Sequence, residues 1–241
     1  MIAISDGLLK EYFEFQKGNV YEYDTENISK LLKYMMPMTI STYQKEQLNL
    51  SDELVKMFSD GNIIRFRDYI DEKEHIQNTK FKIMLTNSSD KFPYINIFDD
   101  KIDVKYSGTF YKNENRDKAQ KHIKALLENS NELIIYDDYL KTNWQDVKKF
   151  FELLVPKKRL NLYFLHNHIG QNIESDLKSI CPNWQIKKFS QNRFPKIYEK
   201  YNKLHDRYLV IDNNVEIIFT SGYDYLFDNY KDFTYIINEI K

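Results

Sequence analysis

LIIYDDYLKTNWQDVKKFFELLVPKKRLNLYFLHNHIGQNIESDLKSICPNWQIKKF, residues 133–189, switches between two apolar periods along its length. LIIYDDYL (133–140), which opens on an apolar run, reads as a buried strand. Thr142 and Gln145 have the spacing of a capping box. Behind them Trp144, Val147, Phe150, Phe151 and Leu154 recur at helical spacing, and Pro156 ends the run. LNLYFL (160–165) reads as the next strand. Ile173, Leu177 and Ile180 mark a short helix closed by Cys181-Pro182, and WQIKKF (184–189) is a third strand. A β-α-β-α-β succession predicts an α/β fold with a mostly parallel sheet and covering helices.

Outward from this core the pattern continues in both directions. Ala119, Ile123, Leu126 and Leu127 predict a helix over 115–128, and YLVI (208–211), VEIIF (215–219) and FTYII (233–237) predict further strands. Residues 1–75 read mostly as helix, with apolar faces at Leu8, Leu9, Tyr12, Phe13 and Phe15, then at Ile28, Leu31, Leu32 and Met35, then at Leu54, Val55 and Phe58. FKIMLT, YINIF and KIDVKY, starting at Phe81, are short enough and well enough bounded by turn formers to be strands. The change in pattern near residue 112 divides the chain into an α+β segment, 1–112, and an α/β domain, 113–241.

Composition removes several function classes. The 241 residues carry 35 Lys plus Arg against 36 Asp plus Glu, a formal net charge of -1, so the chain is not basic throughout, although a local basic patch remains open. The single cysteine, Cys181, allows no intrachain disulfide and fits a reducing compartment. No run approaches the ~18 apolar residues of a membrane span. The start, MIAISDGLLKEYFEF, lacks the basic and apolar regions of a signal peptide, so the cytoplasm is the expected location. With 6 Gly and neither GxGxxG nor GxxxxGK[ST], no Rossmann or P-loop nucleotide site is expected.

The chemistry is concentrated in KLHDRYLVIDNNVEIIFTSGYDYLF (203–227). His205 and Arg207 share one side of a strand, because strand side chains alternate. Asp212 falls at the following turn, Asn213-Asn214, where a carboxylate folds back on a neighbour. Thr220 and Ser221-Gly222 end the next strand. A cation beside an imidazole, near hydroxyls and amides, suits a phosphate diester.

This stretch resembles the HxKx4D signature of the phospholipase D superfamily. It is most similar to a divergent branch that writes the motif as His-Asp-Arg, found in the C-terminal phospholipase D-like domain of MIT-domain proteins. LIIYDDYL and SGYDYLF are similar to that branch as well, so the resemblance covers roughly residues 130–240. It implies a phospholipase D-like mixed sheet with covering helices. It also implies a metal-independent phosphodiesterase, most simply a nuclease, needing no cofactor. His205 would attack phosphorus, Arg207 would clamp the non-bridging oxygens, Thr220 or Ser221 would donate a hydrogen bond, and Asp212 would orient. Because the motif occurs once, the resemblance implies a homodimer in which the second histidine comes from the other subunit. Three departures stand against catalysis: Arg207 replaces Lys, no Asn follows Ser221 closely, and Asp206 adjoins the histidine. The alternative they favour is a catalytically silent binding or dimerisation module for protein, nucleic acid or lipid head groups. The Lys- and Asn-rich composition suits a bacterial or mobile-element protein, with defence as one role open to it.

Other candidates carry plainer readings. KKFSQNRFPKIYEKYNK (187–203) interleaves cations and rings, and two readings stand equal: Arg193, Lys196 and Lys203 track a nucleic-acid backbone, or the stretch, diluted by Glu199, is a solvated loop or helix. His166 and His168 follow a strand and read as loop residues rather than a metal pair, since no partner stands at zinc-site spacing. The other place open to them is the wall of a groove leading to His205. Asp137 and Asp138 are expected to cap a strand end and pack against the His-Asp-Arg segment, and Tyr139 to be buried with its hydroxyl paired. His75 and His122, among charged neighbours, are expected at the surface.

Overall fold

A computed structural model describes residues 2–34, 37–60, 64–104, 106–165, 168–189, 199–201 and 205–240, with the backbone alone at 57–60 and 189. The chain divides into two compact units, 1–104 and 105–241. The division falls ahead of a strand at 108–110 that pairs within the second unit, so it precedes the boundary expected at 112.

The first unit is built on five strands, β1 (Ile2–Ile4), β2 (Met38–Ser41), β3 (Ile64–Arg67), β4 (Met84–Thr86) and β5 (Tyr94–Asn96). They form one sheet in the order β3-β2-β1-β4-β5, and every pairing is parallel. Between them run α1 (Asp6–Lys17), α2 (Thr25–Leu31), α3 (Thr42–Gln47), α4 (Asp52–Asp60) and α5 (Glu72–Asn78). This alternating arrangement corrects the expected α+β segment. Three strands escaped the sequence reading because they are three or four residues long, and β1 and β2 are buried at every position. Short strands hidden on both faces lack the alternation that reveals half-buried ones. KIDVKY, expected as a strand, contributes among its described residues only an isolated bridge at Ile102.

The second unit carries β6 (Gly108–Phe110), α6 (Asp117–Glu128), β7 (Glu132–Tyr136), α7 (Trp144–Leu153), β8 (Leu160–Leu165), α8 (Gln171–Ile180), β9 (Trp184–Phe189), β10 (Arg207–Ile211), β11 (Val215–Phe219) and β12 (Phe233–Glu239). Their sheet order is β6-β12-β11-β10-β7-β8-β9. β7, β8 and β9 are parallel, and β10, β11, β12 and β6 extend the sheet antiparallel. Phe150 and Phe151 of α7 pack on one face, against Phe219, Phe164 and Trp184. The opposite face holds Ile134, Tyr136, Tyr163, Tyr208 and Val210, with Tyr201 laid across them. α7 begins without the expected Thr142–Gln145 box: Asn143 is its N-cap and makes no side-chain bond to the helix. Trp144 instead anchors the helix start, its Nε1 donating to Asp176 at 2.7 Å.

Two histidines correct the surface expectation. His122 and His75 are both fully buried. His122 Nδ1 pairs with the Tyr235 hydroxyl at 2.8 Å. His75 Nε2 sits 2.6 Å from Thr39 Oγ1, under the Tyr69 ring. Burial pushes the His75 pKa down from 6.5 to about 4, against the Thr39 contact that opposes it. The unfolded chain therefore takes up this proton before the folded one does. His75 stabilises the fold fully above pH 6.5, and its contribution drops by on the order of 3 kcal/mol as pH falls towards 4. The His75 ring resonances should titrate near pH 4 by NMR on the full chain; titration between pH 6 and 7 contradicts the buried neutral imidazole.

Candidate active site

The carboxyl ends of β7, β8 and β9, the start of β10 and the end of β11 meet at one edge of the second sheet. Open α/β sheets place their ligands outside the carboxyl ends of parallel strands. Directly after β7 the chain turns at 137–140, closed by Leu140 N–H donating to the Asp137 carbonyl at 3.2 Å. The Asp137 carboxylate folds into this turn and accepts from Tyr139 N–H at 2.8 Å. β10 runs antiparallel to β7 with Tyr208 opposite Tyr136, so Arg207 starts its strand beside Asp137.

Asp137 is 2% exposed, and Arg207 Nε lies 3.7 Å from its Oδ1. That is an ion pair too long for a hydrogen bond, and Nε has no hydrogen-bond partner among the described residues. The guanidinium also lies over the Tyr139 ring, 4.8 Å from its centre. Tyr139 is thus 43% exposed, which corrects the expectation of a buried, hydroxyl-paired ring. Desolvation pushes the Asp137 pKa up; the Tyr139 N–H and Arg207 pull it back, and Asp138 and Asp224 add to the rise. Asp224 rises for the same first reason, its burial, with Asp146 adding and Arg207 opposing. Its carboxylate folds back over Gly222, where a Cβ would meet Asp224 Oδ1 at 2.0 Å, so Gly222 is required for this packing. Tyr223, fully buried, donates its hydroxyl to the Tyr208 carbonyl at 3.4 Å.

The residues singled out in the sequence separate into three groups. His205 is exposed and precedes Arg207 at the sheet edge. Thr220 and Ser221 sit near them, since Arg207 pairs with Phe219, but both hydroxyls donate to backbone carbonyls, Thr220 to Thr234 of β12 at 3.2 Å and Ser221 to Asp232 just ahead of it at 3.3 Å. Asp212 is elsewhere. It lies beyond the far end of the five-residue β10, and at about 3.3 Å per residue it is about 16 Å from Arg207. Its Oδ1 accepts from Asn131 N–H at 2.9 Å and Glu132 N–H at 2.8 Å, pinning the hairpin turn to the start of β7. Asp212 and Asn213 hold left-handed φ values of 48° and 53°, which this tight β10–β11 turn needs. Asp212 is therefore a turn residue, and the expected role beside His205 is corrected. Asp206 acts on Tyr208, whose pKa rises through burial first and the Asp206 charge second.

Arg193, Lys196, Lys203 and His166 lie outside the described residues. The described cations of the 187–203 stretch are engaged within the unit. Lys187 reaches the Tyr163 hydroxyl at 3.4 Å, Lys188 pairs with Glu174 at 2.7 Å, and Lys200 pairs with the buried Glu216 at 2.6 Å. Tyr201 donates to the same Glu216 carboxylate. On the other side of the 137–140 turn, His168 Nε2 lies 2.9 Å from Asp138 Oδ1. The contact of His168 with Asp138 and the reach of the Arg207 charge to Asp224 are additions from the structure, although the sequence left a groove wall near His205 open to His168. The Asp of SGYDYLF, two residues after a glycine at a strand end, was the available signal for the second. Among the described residues no three His, Cys, Asp or Glu side chains converge as a metal-ligating group. No helix among them is long and apolar enough to cross a membrane.

No protein-family model matches the chain, and no curated protein matches it. Among solved structures, that of TrmBL2, described as an archaeal chromatin protein with a novel mode of DNA binding, is similar at 14% identity with a TM-score of 0.23. The similarity covers 54% of this chain and 45% of that one.

Removing Arg207 leaves the Asp137 carboxylate buried without its cation. Arg207→Ala should cost about 1–3 kcal/mol of stability, below the full value of a broken buried pair because the contact is long and Arg207 is partly exposed. Adding Asp137→Asn should return most of that loss in denaturant midpoints. A double variant no more stable than Arg207→Ala would show that the two side chains are not coupled.

Proposed function

We propose that the 105–241 unit is a phospholipase D-like phosphodiesterase, most simply a nuclease, whose nucleophile is His205 and whose phosphate clamp is Arg207. The observation that carries this reading is the seating of Arg207. A guanidinium is fixed by Asp137 and the Tyr139 ring at the carboxyl edge of three parallel strands, with an exposed imidazole two residues before it. Attack by an imidazole nitrogen gives a phosphohistidine, and a prepositioned guanidinium stabilises the charge on the non-bridging oxygens. Neither step calls on a metal. The motif occurs once, so a second proton-carrying group is needed, from a second copy of the chain or from elsewhere in the same one.

A second reading has its own support. Asp137 and Asp224 both lie within reach of the Arg207 charge, and Lys188 and Lys200 of the 187–203 stretch are paired with carboxylates. A site so rich in carboxylates suits a catalytically silent module that recognises a partner through Arg207 and the exposed Tyr139.

Hydrolysis of bis(p-nitrophenyl) phosphate, single-stranded DNA and RNA in the presence of EDTA separates the two. The enzyme reading expects hydrolysis of at least one substrate with chelator present. It also expects a loss of at least about 10³-fold in His205→Ala without loss of fold, since an exposed side chain leaves no cavity. Activity that vanishes with EDTA and returns with magnesium, or that survives His205→Ala, contradicts it. Absence of activity on all three favours the binding module.

A further inference from the structure

The connection between β11 and β12 walls a cavity of about 630 Å³, with the first two turns of α7 opposite it. That volume lies within the range of small-ligand sites. Residues ahead of α6 and within it tie the connection down from outside. Lys112 N–H donates to Asp232 Oδ1 at 2.8 Å, Asn113 N–H to the Asn229 carbonyl at 2.8 Å, and Gln120 Nε2 to the Leu226 carbonyl at 3.0 Å. Arg116, 4% exposed and set against the Phe110 and Phe233 rings, donates through Nη2 to the Lys231 carbonyl at 2.7 Å. Desolvating a guanidinium is unfavourable, and here it holds a surface loop in place. Yet Tyr230, in the middle of that loop, is 72% exposed and has no ring or cation contact among the described residues. A ring held in solvent on a tethered backbone is preorganised for an occupant.

Three carboxylates line the cavity, and each has a task within the chain. Asp146 lies in the first turn of α7, where the helix dipole favours an anion. Asp224 is folded over Gly222 and accepts from backbone N–H groups at 224 and 225. Asp228 Oδ1 accepts from Tyr230 N–H at 3.0 Å. The two lysines of the lining have no such task. Lys149 Nζ lies 5.2 Å from the centre of the Phe227 ring and Lys231 Nζ 5.4 Å from that of Tyr225, and neither ammonium has an ion pair or hydrogen bond among the described residues. A ring face steadies an ammonium but accepts none of its N–H bonds in full. Two ammoniums and one exposed ring are therefore left for an occupant to satisfy. A simple anion would leave the ring in water, and an apolar molecule would leave the ammoniums without an acceptor. A phosphate joined to an aromatic base meets both.

We propose that this cavity binds a nucleotide unit, its base stacked on Tyr230 and its phosphate held by Lys149 and Lys231. The assignment goes beyond the phosphodiesterase reading and does not depend on hydrolysis at His205. Stacking on a tyrosine tolerates any base, because every base has a π face, so recognition is of the nucleotide class rather than of one base. The cavity adjoins the candidate active site through Asp224, which lines the cavity and lies within reach of the Arg207 charge. The unit can arrive as a free nucleotide or as one residue of a single strand, since both present the same base and phosphate.

Calorimetric titration of AMP into the full-length chain reads this site without turnover, because a phosphate monoester presents no diester to cleave. Saturable binding is expected, with adenosine alone and inorganic phosphate alone each weaker by at least about tenfold. Tyr230→Ala and Lys149→Gln should each weaken AMP by at least about fivefold. Both side chains are exposed, so thermal midpoints should not move. Lys17→Gln, which removes an exposed lysine paired with Glu14 in the first unit, should leave the affinity unchanged. A labelled single-stranded dA decamer, followed by anisotropy with wild-type and His205→Ala chains so that cleavage does not blur the reading, separates the sources. A decamer at least about tenfold tighter than AMP, and weakened by the same two variants, makes the strand the ligand. Equal affinities make it the free nucleotide. Absence of saturable binding to both AMP and the decamer, phosphate binding as tightly as AMP, or affinities unchanged in Tyr230→Ala and Lys149→Gln overturns the assignment. An inactive chain that binds AMP in this way keeps the cavity assignment and loses the phosphodiesterase reading, and an active chain that binds neither probe here does the reverse.

Discussion

A carboxylate almost fully buried at the end of a strand has to be met by a cation, and Asp137 is met by Arg207 from across the β7–β10 ladder. The meeting depends on register. Tyr208 opposite Tyr136 puts Arg207 level with Asp137, and a slip of one residue would turn Arg207 to the tyrosine-lined face. The register is itself set at the far end, where Asp212 ties the β10–β11 turn to the backbone of Asn131 and Glu132. Asp212 thus serves the edge at a distance: it fixes the strand that delivers the guanidinium.

The same contact organises what surrounds it. The Asp137 turn presents Tyr139 to Arg207, and Gly222 lets Asp224 fold into the region where the Arg207 charge acts on it. Burial raises both carboxylates, and Arg207 opposes both rises. A phosphate arriving at Arg207 competes with Asp137 and Asp224 for one positive charge. On the proposed phosphodiesterase reading, substrate affinity would therefore come from more than this guanidinium, and Arg193, Lys196 and Lys203 precede it in the sequence. This competition is the physical reason that the acidic surroundings also suit a module that only binds.

The legible parts of the fold are those where burial alternates or a long element repeats its period. β8, β9 and β11 fall where their apolar runs place them, and α6 follows the face of Ala119, Ile123, Leu126 and Leu127. His122 lies on that same face, three residues after Ala119 and four before Leu126, so its burial was written in the helical period and masked by charged neighbours. The first unit was harder to read because its strands are too short to show a period, and a short strand beside helices looks like more helix. At the site, His205 and Arg207 were legible as a pair at one edge. Asp138 with His168 was not, because the contact joins two loops through the pairing of β7 and β8, which no local spacing reports.

Covalent chemistry at His205 is the central claim, and trapping it is the most direct measurement. Full-length chain reacted with a slowly hydrolysed diester, quenched in alkali where phosphoramidates persist, and digested for mass spectrometry should carry the phosphoryl group on His205. Label on another residue, or hydrolysis with no labelled histidine at any reaction time, would contradict the account.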